Sequence, residues 1–170
     1  MALRKMLGSA DHPEIIRLMR LIETQSKATL TRFAADSHYL PITDALLPEE
    51  TRLRNALAAV RAHMDGTPLS AVKAAVKEAR AAAQALTKFP VAQAAARAIA
   101  TACGVAVTPT NALGFTFYGA AAIAYHTAGI EADRAVHDSL ADQELARIRT
   151  ALEAACIPDE PNPVKVDWGC

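Results

Sequence analysis

Apolar residues recur at intervals of three and four along most of this chain, the spacing of helices that bury one face. In the first such stretch Ile15, Leu18 and Ile22 follow Pro13, a residue suited to the first turn of a helix. We predict one long helix over residues 13–36. No stretch alternates polar and apolar residues as a strand does, so the pattern indicates an all-α fold.

Prolines and glycines divide the remaining pattern into further helices. Pro41 and Pro48 interrupt it after the first helix, and Gly66 suits a helix end. Asp11 and Thr67 are candidate N-caps, since each precedes a proline that can start a helix. The helices predicted after the first span residues 48–65, 68–89, 90–107, 110–128 and 131–155. The sequence therefore predicts a single-domain bundle of about six helices.

The end of the chain, "IPDEPNPVKVDWGC", differs in composition from the rest. Its prolines prevent a continuous helix. We expect a helical bundle domain over residues 1–157 and a proline-rich C-terminal tail over residues 158–170. Trp168 is expected to anchor this tail by packing rather than to serve a binding site.

Between Lys88 and Glu131 the only fixed charge is Arg97. A membrane hairpin needs leucine and isoleucine, whereas this segment is mostly alanine, threonine and glycine. Alanine lets helix backbones approach closely, which suits the middle of a bundle. We therefore expect a central alanine-rich hairpin of two helices.

Composition argues against several classes of function. The chain has 18 Lys plus Arg and 18 Asp plus Glu, so no net field favours nucleic acid or an anionic membrane. The N-terminus lacks the apolar run of a signal peptide, and we expect a cytoplasmic protein. Cys103, Cys156 and Cys170 form no CxxC pair and are expected to be reduced thiols.

No catalytic motif is found in the sequence. It has no Glu-x-x-His pair, nucleophile elbow or glycine-rich phosphate loop, so we expect no enzymatic activity, cofactor or metal. The histidines are scattered singly, and a metal site would have to collect them from separate helices. The least unfavourable ligand set is His38, His63 and either His126 or His137. Core packing is the favoured role of four aromatic residues: Phe115, Phe117, Tyr118 and Tyr125.

Several arginines have helical positions at or inside the expected core. At 100° per residue, Arg52 and Arg54 flank the inward face of the second helix. Arg80 falls within the inward face of the third helix, so we expect it to be partly buried. Alanine at Arg80 or at Arg97 is then expected to lower thermal stability more than alanine at Arg61.

Arg97 lies on a polar line with Gln93 and Thr101, on a helix expected to be largely covered. A buried guanidinium needs acceptors, since leaving it unpaired costs several kcal/mol. The candidate acceptors are Asp36, Asp44, Glu49, Glu50 and Glu78. Two roles stay open for the arginines: structural ties between helix ends, or the lining of a pocket for an anion or a partner's acidic side chain.

The segment "PEETRLRNALAAVRAHMDGTPLSAVKAAVKEARAAAQAL", with "PVAQAAARAIATA" and "YGAAAIAYHTAG" after it, resembles the bacterial putative immunity protein family. This all-helical family is similar to the fifth class of immunity proteins in polymorphic toxin systems. Its pattern is an acidic residue before Arg-x-Arg and alanine, a helix-ending glycine, and an arginine in each of the next two helices. Here the pattern falls on Glu50, Arg52, Arg54, Ala56, Gly66, Arg80 and Arg97. The resemblance covers residues 14–128.

The resemblance implies a cytoplasmic, non-catalytic protein that binds and neutralises a cognate toxin. The family often carries histidines on its fifth helix, where this chain has Asn111 and aromatic residues, so no role of those histidines is carried over. Two alternatives remain. One is a small-molecule- or metal-binding bundle, an enzyme among the options, with a pocket lined by arginine and histidine. The other is a homo-oligomer formed through an alanine-rich face.

Overall fold

Helices account for the regular structure of the chain in a computed structural model that describes residues 2–36 and 38–169. Within these ranges there are eight α-helices and one short 3-10 turn, Gly104–Ala106. The α-helices are α1 (Pro13–Ile22), α2 (Lys27–Ala34), α3 (Leu40–Leu46), α4 (Arg52–Met64), α5 (Leu69–Ala85), α6 (Pro90–Cys103), α7 (Asn111–Ala128) and α8 (Arg134–Ala155). The predicted all-α class is confirmed.

The predicted first helix is in fact two helices. Ser26 caps α2, where its Oγ accepts a hydrogen bond from the Thr29 N–H at 3.2 Å. Glu160 of the tail also accepts hydrogen bonds from the Ser26 N–H and, at 2.6 Å, from the Thr29 hydroxyl. The apolar spacing continues across this break, and the start of α2 is held both by its own cap and by a contact with the far end of the chain.

Smaller differences concern caps and prolines. His12, not Asp11, caps α1 with a ring nitrogen that accepts a backbone N–H at 3.1 Å. Thr67 does not cap α5, which follows directly on Pro68. Pro41, predicted to break the chain, lies in the first turn of α3, where its missing N–H costs no helical hydrogen bond.

Two helix ends were predicted correctly from glycine. Gly66 follows α4 with φ +112°, and Gly129 follows α7 with φ +79°. A residue with a side chain is strained at such positive φ angles, whereas glycine adopts them freely. Both helices therefore end where the sequence indicates.

The core is centred on α6 and α7, which pack along each other, while α3, α4 and α5 contact α6, and α8 contacts α7. Ten of the 14 residues of α6 are buried, and seven of these are alanines. Small side chains allow this close approach of several helices. The helix α5 also contains alanines that do not pack in the core but are exposed to solvent: Ala71, Ala74, Ala81 and Ala85.

None of the helices in the described ranges has the length and apolar character that crossing a membrane requires.

The tail runs back over the connection between α1 and α2. Gln25 is buried and holds the start of the tail, because its side chain accepts from the Ile157 N–H at 2.8 Å and donates to the Ile157 carbonyl at 3.1 Å. Further along, the Val164 N–H donates to the Gln25 carbonyl at 2.8 Å. Trp168 packs against the core and donates to Glu23 at 2.8 Å, so its prediction as a packing anchor is confirmed.

The cysteines differ in their surroundings. Cys103 is buried and unpaired, and burial raises the pKa of its thiol to about 12, which keeps it protonated and unreactive. Cys156 is unpaired and half-buried. Cys170 lies outside the described residues.

Candidate functional site

Arg52 and Arg54 hold the connection between α3 and α4. Arg52 donates through Nε and Nη2 to both carboxylate oxygens of Glu50, at 2.9 and 2.8 Å, and these bonds lower the pKa of Glu50. Arg54 donates to Asp44 at 2.7 Å and to the Pro48 carbonyl at 3.0 Å. Both carboxylates were among the expected acceptors. These bonds fix the turn between α3 and α4, so α4 begins at Arg52 rather than at Pro48.

Arg80 is exposed, so the prediction that it is partly buried was wrong. The buried face of α5 runs through Val76, Ala79 and Ala83, which leaves Arg80 at its edge. From an edge position a long side chain can carry its charge out to solvent. The guanidinium passes over the 3-10 turn, with Nη2 3.3 Å from the point where a Cβ on Gly104 would lie.

Arg80 and Arg97 meet in a groove between α5 and α6, which we name the basic groove. It encloses about 550 Å³ and opens to solvent. One side of α6 contributes the polar line that was predicted from the sequence: Gln93, Arg97 and Thr101. Its other lining residues are Lys5, Ala83, Gln84, Thr87, Ala100 and Tyr118. Arg52 and Arg54 do not line it.

The basic groove has three cationic side chains and no carboxylate in its lining. Within residues 2–36 and 38–169, the side chains of Lys5, Arg80 and Arg97 make no ion pair or hydrogen bond. Arg97 is half-buried, which removes part of its hydration. The groove is therefore a concentration of positive charge that the described part of the chain does not neutralise.

Gln93 fixes the floor of the basic groove. Its side chain is 9% exposed, and Nε2 donates to the Ala83 carbonyl at 2.8 Å. Ala83 lies in the last turn of α5, and its carbonyl also accepts a long hydrogen bond of 3.4 Å from the Leu86 N–H. The shorter bond from Gln93 thus reinforces a helix end and joins α5 to α6 beneath the groove.

A second polar cluster, which the sequence did not reveal, lies inside the bundle around Glu144. This carboxylate is 4% exposed and accepts hydrogen bonds from Arg147 at 2.6 Å and from the Tyr39 hydroxyl at 2.8 Å. His38 Nε2 lies 3.7 Å from it. Burial raises the pKa of Tyr39 and lowers that of His38. In sequence, Glu144 and Arg147 look like an ordinary surface pair on one turn of α8.

A crevice beside Glu144 is lined by both His38 and Arg147. It encloses about 30 Å³, which is room for about two water molecules. This crevice is too small for a small-molecule site, but a larger surface depression of about 240 Å³ is lined by Arg4, Arg134 and His137.

The histidines of the alternative metal set lie in separate surroundings. His63 and His137 each bond to a backbone carbonyl at 2.8 Å, His38 lies beside Glu144, and His126 is exposed. Among the residues that the structure describes, no three His, Cys, Asp or Glu side chains are placed to share a metal ion.

The four aromatic residues divide between core and groove. Phe115 and Tyr125 are buried, as predicted. Phe117 and Tyr118 are half-buried and pack against the core, and Tyr118 also lines the basic groove. Tyr118 therefore combines a packing role with an accessible position beside the cations.

The family model described as "Imm-5 like putative immunity protein" matches residues 20–155, which includes α2 to α8 and all of the basic groove except Lys5. No curated protein and no solved structure matches the chain. Since the family model covers most of the chain, and the arginine pattern indicated the same relationship, the chain belongs to the Imm-5 like putative immunity protein family.

Proposed function

We propose that this chain is an immunity protein that binds a cognate protein toxin and neutralises it without catalysis. The observation that carries the proposal is the family match over residues 20–155. Neutralisation by binding requires a stable fold and an accessible surface. The basic groove supplies such a surface on two of the longer helices.

The polar clusters support binding rather than catalysis. Glu50 is paired with Arg52, and Glu144 is buried under Arg147 and Tyr39. Catalytic carboxylates need access to a substrate, whereas these are occupied by arginines of the same chain. The crevice beside Glu144 has room for water only.

We assign the arginines of the family pattern to two roles. Arg52 and Arg54, with Glu50, hold the start of α4 and act structurally. Arg80 and Arg97 contact the toxin, because their charges face solvent without an acceptor in the described residues. The protein acts in the cytoplasm, where a toxin made in the same cell would otherwise be active.

Co-expression tests the proposed function. Each protein encoded beside this gene is expressed in a heterologous host, alone and together with the chain, and colony survival is counted. We expect one neighbour to be toxic alone, harmless with the chain, and to co-elute with it from a size-exclusion column. A copy of the gene with an early stop codon serves as the control. Absence of both protection and complex formation for every neighbour contradicts the proposal.

A further inference from the structure

We propose that the basic groove is the toxin-recognition surface, and that it takes a protein segment carrying at least two carboxylates. This inference rests on the proposed function and adds the chemistry of the contact. Two guanidinium groups and one ammonium group line a single open groove of about 550 Å³. Arginine donates to a carboxylate through two parallel hydrogen bonds, so two arginines match two acidic side chains.

The pairing of the other arginines supports an external acceptor for Arg97. Six arginines of this chain are half-buried, and five of them form an ion pair with a carboxylate of the same chain. Those five are Arg4, Arg52, Arg54, Arg147 and Arg149. Arg97 is the one without a partner in residues 2–36 and 38–169. A partly desolvated charge left unpaired is unfavourable, and a ligand carboxylate would relieve that cost.

The charge of the groove is a local feature. The whole chain has equal numbers of basic and acidic residues, so the three cations do not reflect a generally basic surface. A local patch of this kind steers an oppositely charged partner and sets its orientation. Nucleic acid usually engages a longer basic surface than three side chains.

The uncharged lining favours a protein segment over a free anion. Thr87, Thr101 and Tyr118 carry hydroxyl groups beside the cations, and Ala83 and Ala100 add apolar surface. Hydroxyl groups can bond to the backbone of a bound segment, while the alanines and the tyrosine ring contact its apolar side chains. A single inorganic anion would fill only a small part of the volume.

The first experiment uses the toxin identified by co-expression. Its affinity is measured by calorimetry for the wild type, Arg97→Ala, Arg80→Ala and Arg97→Lys, with Arg134→Ala as the matched control. Arg134 has a side chain that is 73% exposed and lies on α8, away from the groove. We expect Arg97→Ala to weaken binding at least about tenfold, Arg97→Lys less, and Arg134→Ala not at all. Circular dichroism checks that each variant is folded.

The second experiment does not need the toxin. A synthetic peptide of alternating glutamate and glycine is titrated into 15N-labelled protein, with the glutamine peptide and a DNA oligonucleotide as comparisons. We expect saturable shifts of the arginine side-chain and α6 signals with the glutamate peptide alone, and their loss in Arg97→Ala.

The outcomes separate the two proposals. Tight toxin binding that is unchanged in the Arg80 and Arg97 variants overturns the groove as the recognition surface and leaves the proposed function standing. Shifts with the glutamate peptide, in a protein that no neighbouring gene product binds, support the acid-binding groove and contradict the immunity role. Equal shifts with the glutamine peptide, or tighter binding of the oligonucleotide, overturn the proposed carboxylate chemistry.

Discussion

Gly119 shows how a single missing side chain makes room for the buried polar cluster. It lies on α7, and a Cβ at this position would overlap the Tyr39 hydroxyl and lie 2.9 Å from Cε2 of that ring. Tyr39 is 3% exposed and has little space to move. The absence of a side chain at Gly119 therefore allows the hydroxyl of Tyr39 to reach Glu144.

We expect Gly119→Ala to destabilise the protein by more than about 2 kcal/mol, because either the ring moves or the hydrogen bond to Glu144 is lost. Gly114→Ala is a matched control in the same helix, since its Cβ would meet Thr101 Cγ2 at 3.5 Å, an ordinary contact. Alanine at position 114 should be neutral or stabilising, as expected in a helix interior. Urea unfolding measures both, and equal losses for the two variants would refute the steric explanation.

The arginines make a separate prediction at the same scale. Arg54→Ala should lower stability by about 0.5–1 kcal/mol, since a partly exposed ion pair contributes only that much. Arg97→Ala should change it by less than about 0.5 kcal/mol, because no acceptor in the described residues is left unpaired. From the sequence, alanine at Arg80 or Arg97 was expected to lower thermal stability more than alanine at Arg61. We now expect the opposite order, because Arg61 donates to the Ala35 carbonyl at 3.4 Å. Thermal melts of the alanine variants at Arg54, Arg61, Arg80 and Arg97 decide between the two orders of stability.

Residue types and spacing could identify the arginines but not all of their surroundings. The acceptors Glu50 and Asp44 are close in sequence to Arg52 and Arg54, so short-range reasoning was sufficient. For Arg80, rotation around the helix gave the position of the Cα but not the direction of a long, flexible side chain.

Among the secondary-structure elements, prediction from sequence failed most where parts of the chain that are distant in sequence meet. At the break between α1 and α2, Glu160 of the tail accepts hydrogen bonds from Ser26, the cap of α2, and from Thr29. The cluster around Glu144 joins α8 to the start of α3, through contacts separated by about a hundred residues in sequence. By contrast, ends marked by Gly66 and Gly129 depend on local backbone conformation and were predictable.

The contact between α1 and α8 should respond to pH. Arg149 donates to Glu14 at 2.7 Å, and this hydrogen bond lowers the pKa of Glu14 below its ordinary 4.5. A carboxylate with a lowered pKa contributes stability above its ordinary pKa, and this contribution is lost as the pH falls through the lowered value. We therefore expect Glu14→Gln to be less stable than the wild type at pH 7, with the difference shrinking below pH 4.5.

Glu153→Gln provides the control for this pH dependence. Glu153 also pairs with Arg149 but lies on the same helix and has a side chain that is 48% exposed. Its replacement should leave the acid limb of the stability curve close to that of the wild type. Free energies of unfolding from urea titrations between pH 3 and pH 7 test this, and parallel curves for wild type and Glu14→Gln would contradict the assignment.

For the whole molecule, the alanine content of α6 determines how closely its neighbours pack. Ala98 is completely buried, whereas Ala81 of α5 is exposed. We expect Ala98→Leu to destabilise the protein by about 1–3 kcal/mol through overpacking, and Ala81→Leu to change stability by less than about 0.5 kcal/mol. Thermal unfolding provides the comparison. A harmless leucine at position 98 would show that the centre of the bundle is loosely packed.

The helical class followed from periodicity, and the depletion of charge between Lys88 and Glu131 pointed to the helices that are most buried. Only part of the basic groove could be predicted from the sequence. The polar line through Gln93, Arg97 and Thr101 could be read from α6 alone, whereas its meeting with Arg80 and Lys5 depends on how α5 and the N-terminal segment pack.

The floor of the basic groove belongs to α6, the helix that several others surround. A surface built on such a helix cannot reshape itself without disturbing the whole core. Docking would consequently require little ordering of this protein, and the same geometry would be presented before and after contact. Selectivity would then depend on position: a toxin whose acidic groups lay a few ångströms away would lose its paired hydrogen bonds to Arg80 and Arg97, and one substitution could distinguish the cognate toxin from a related one.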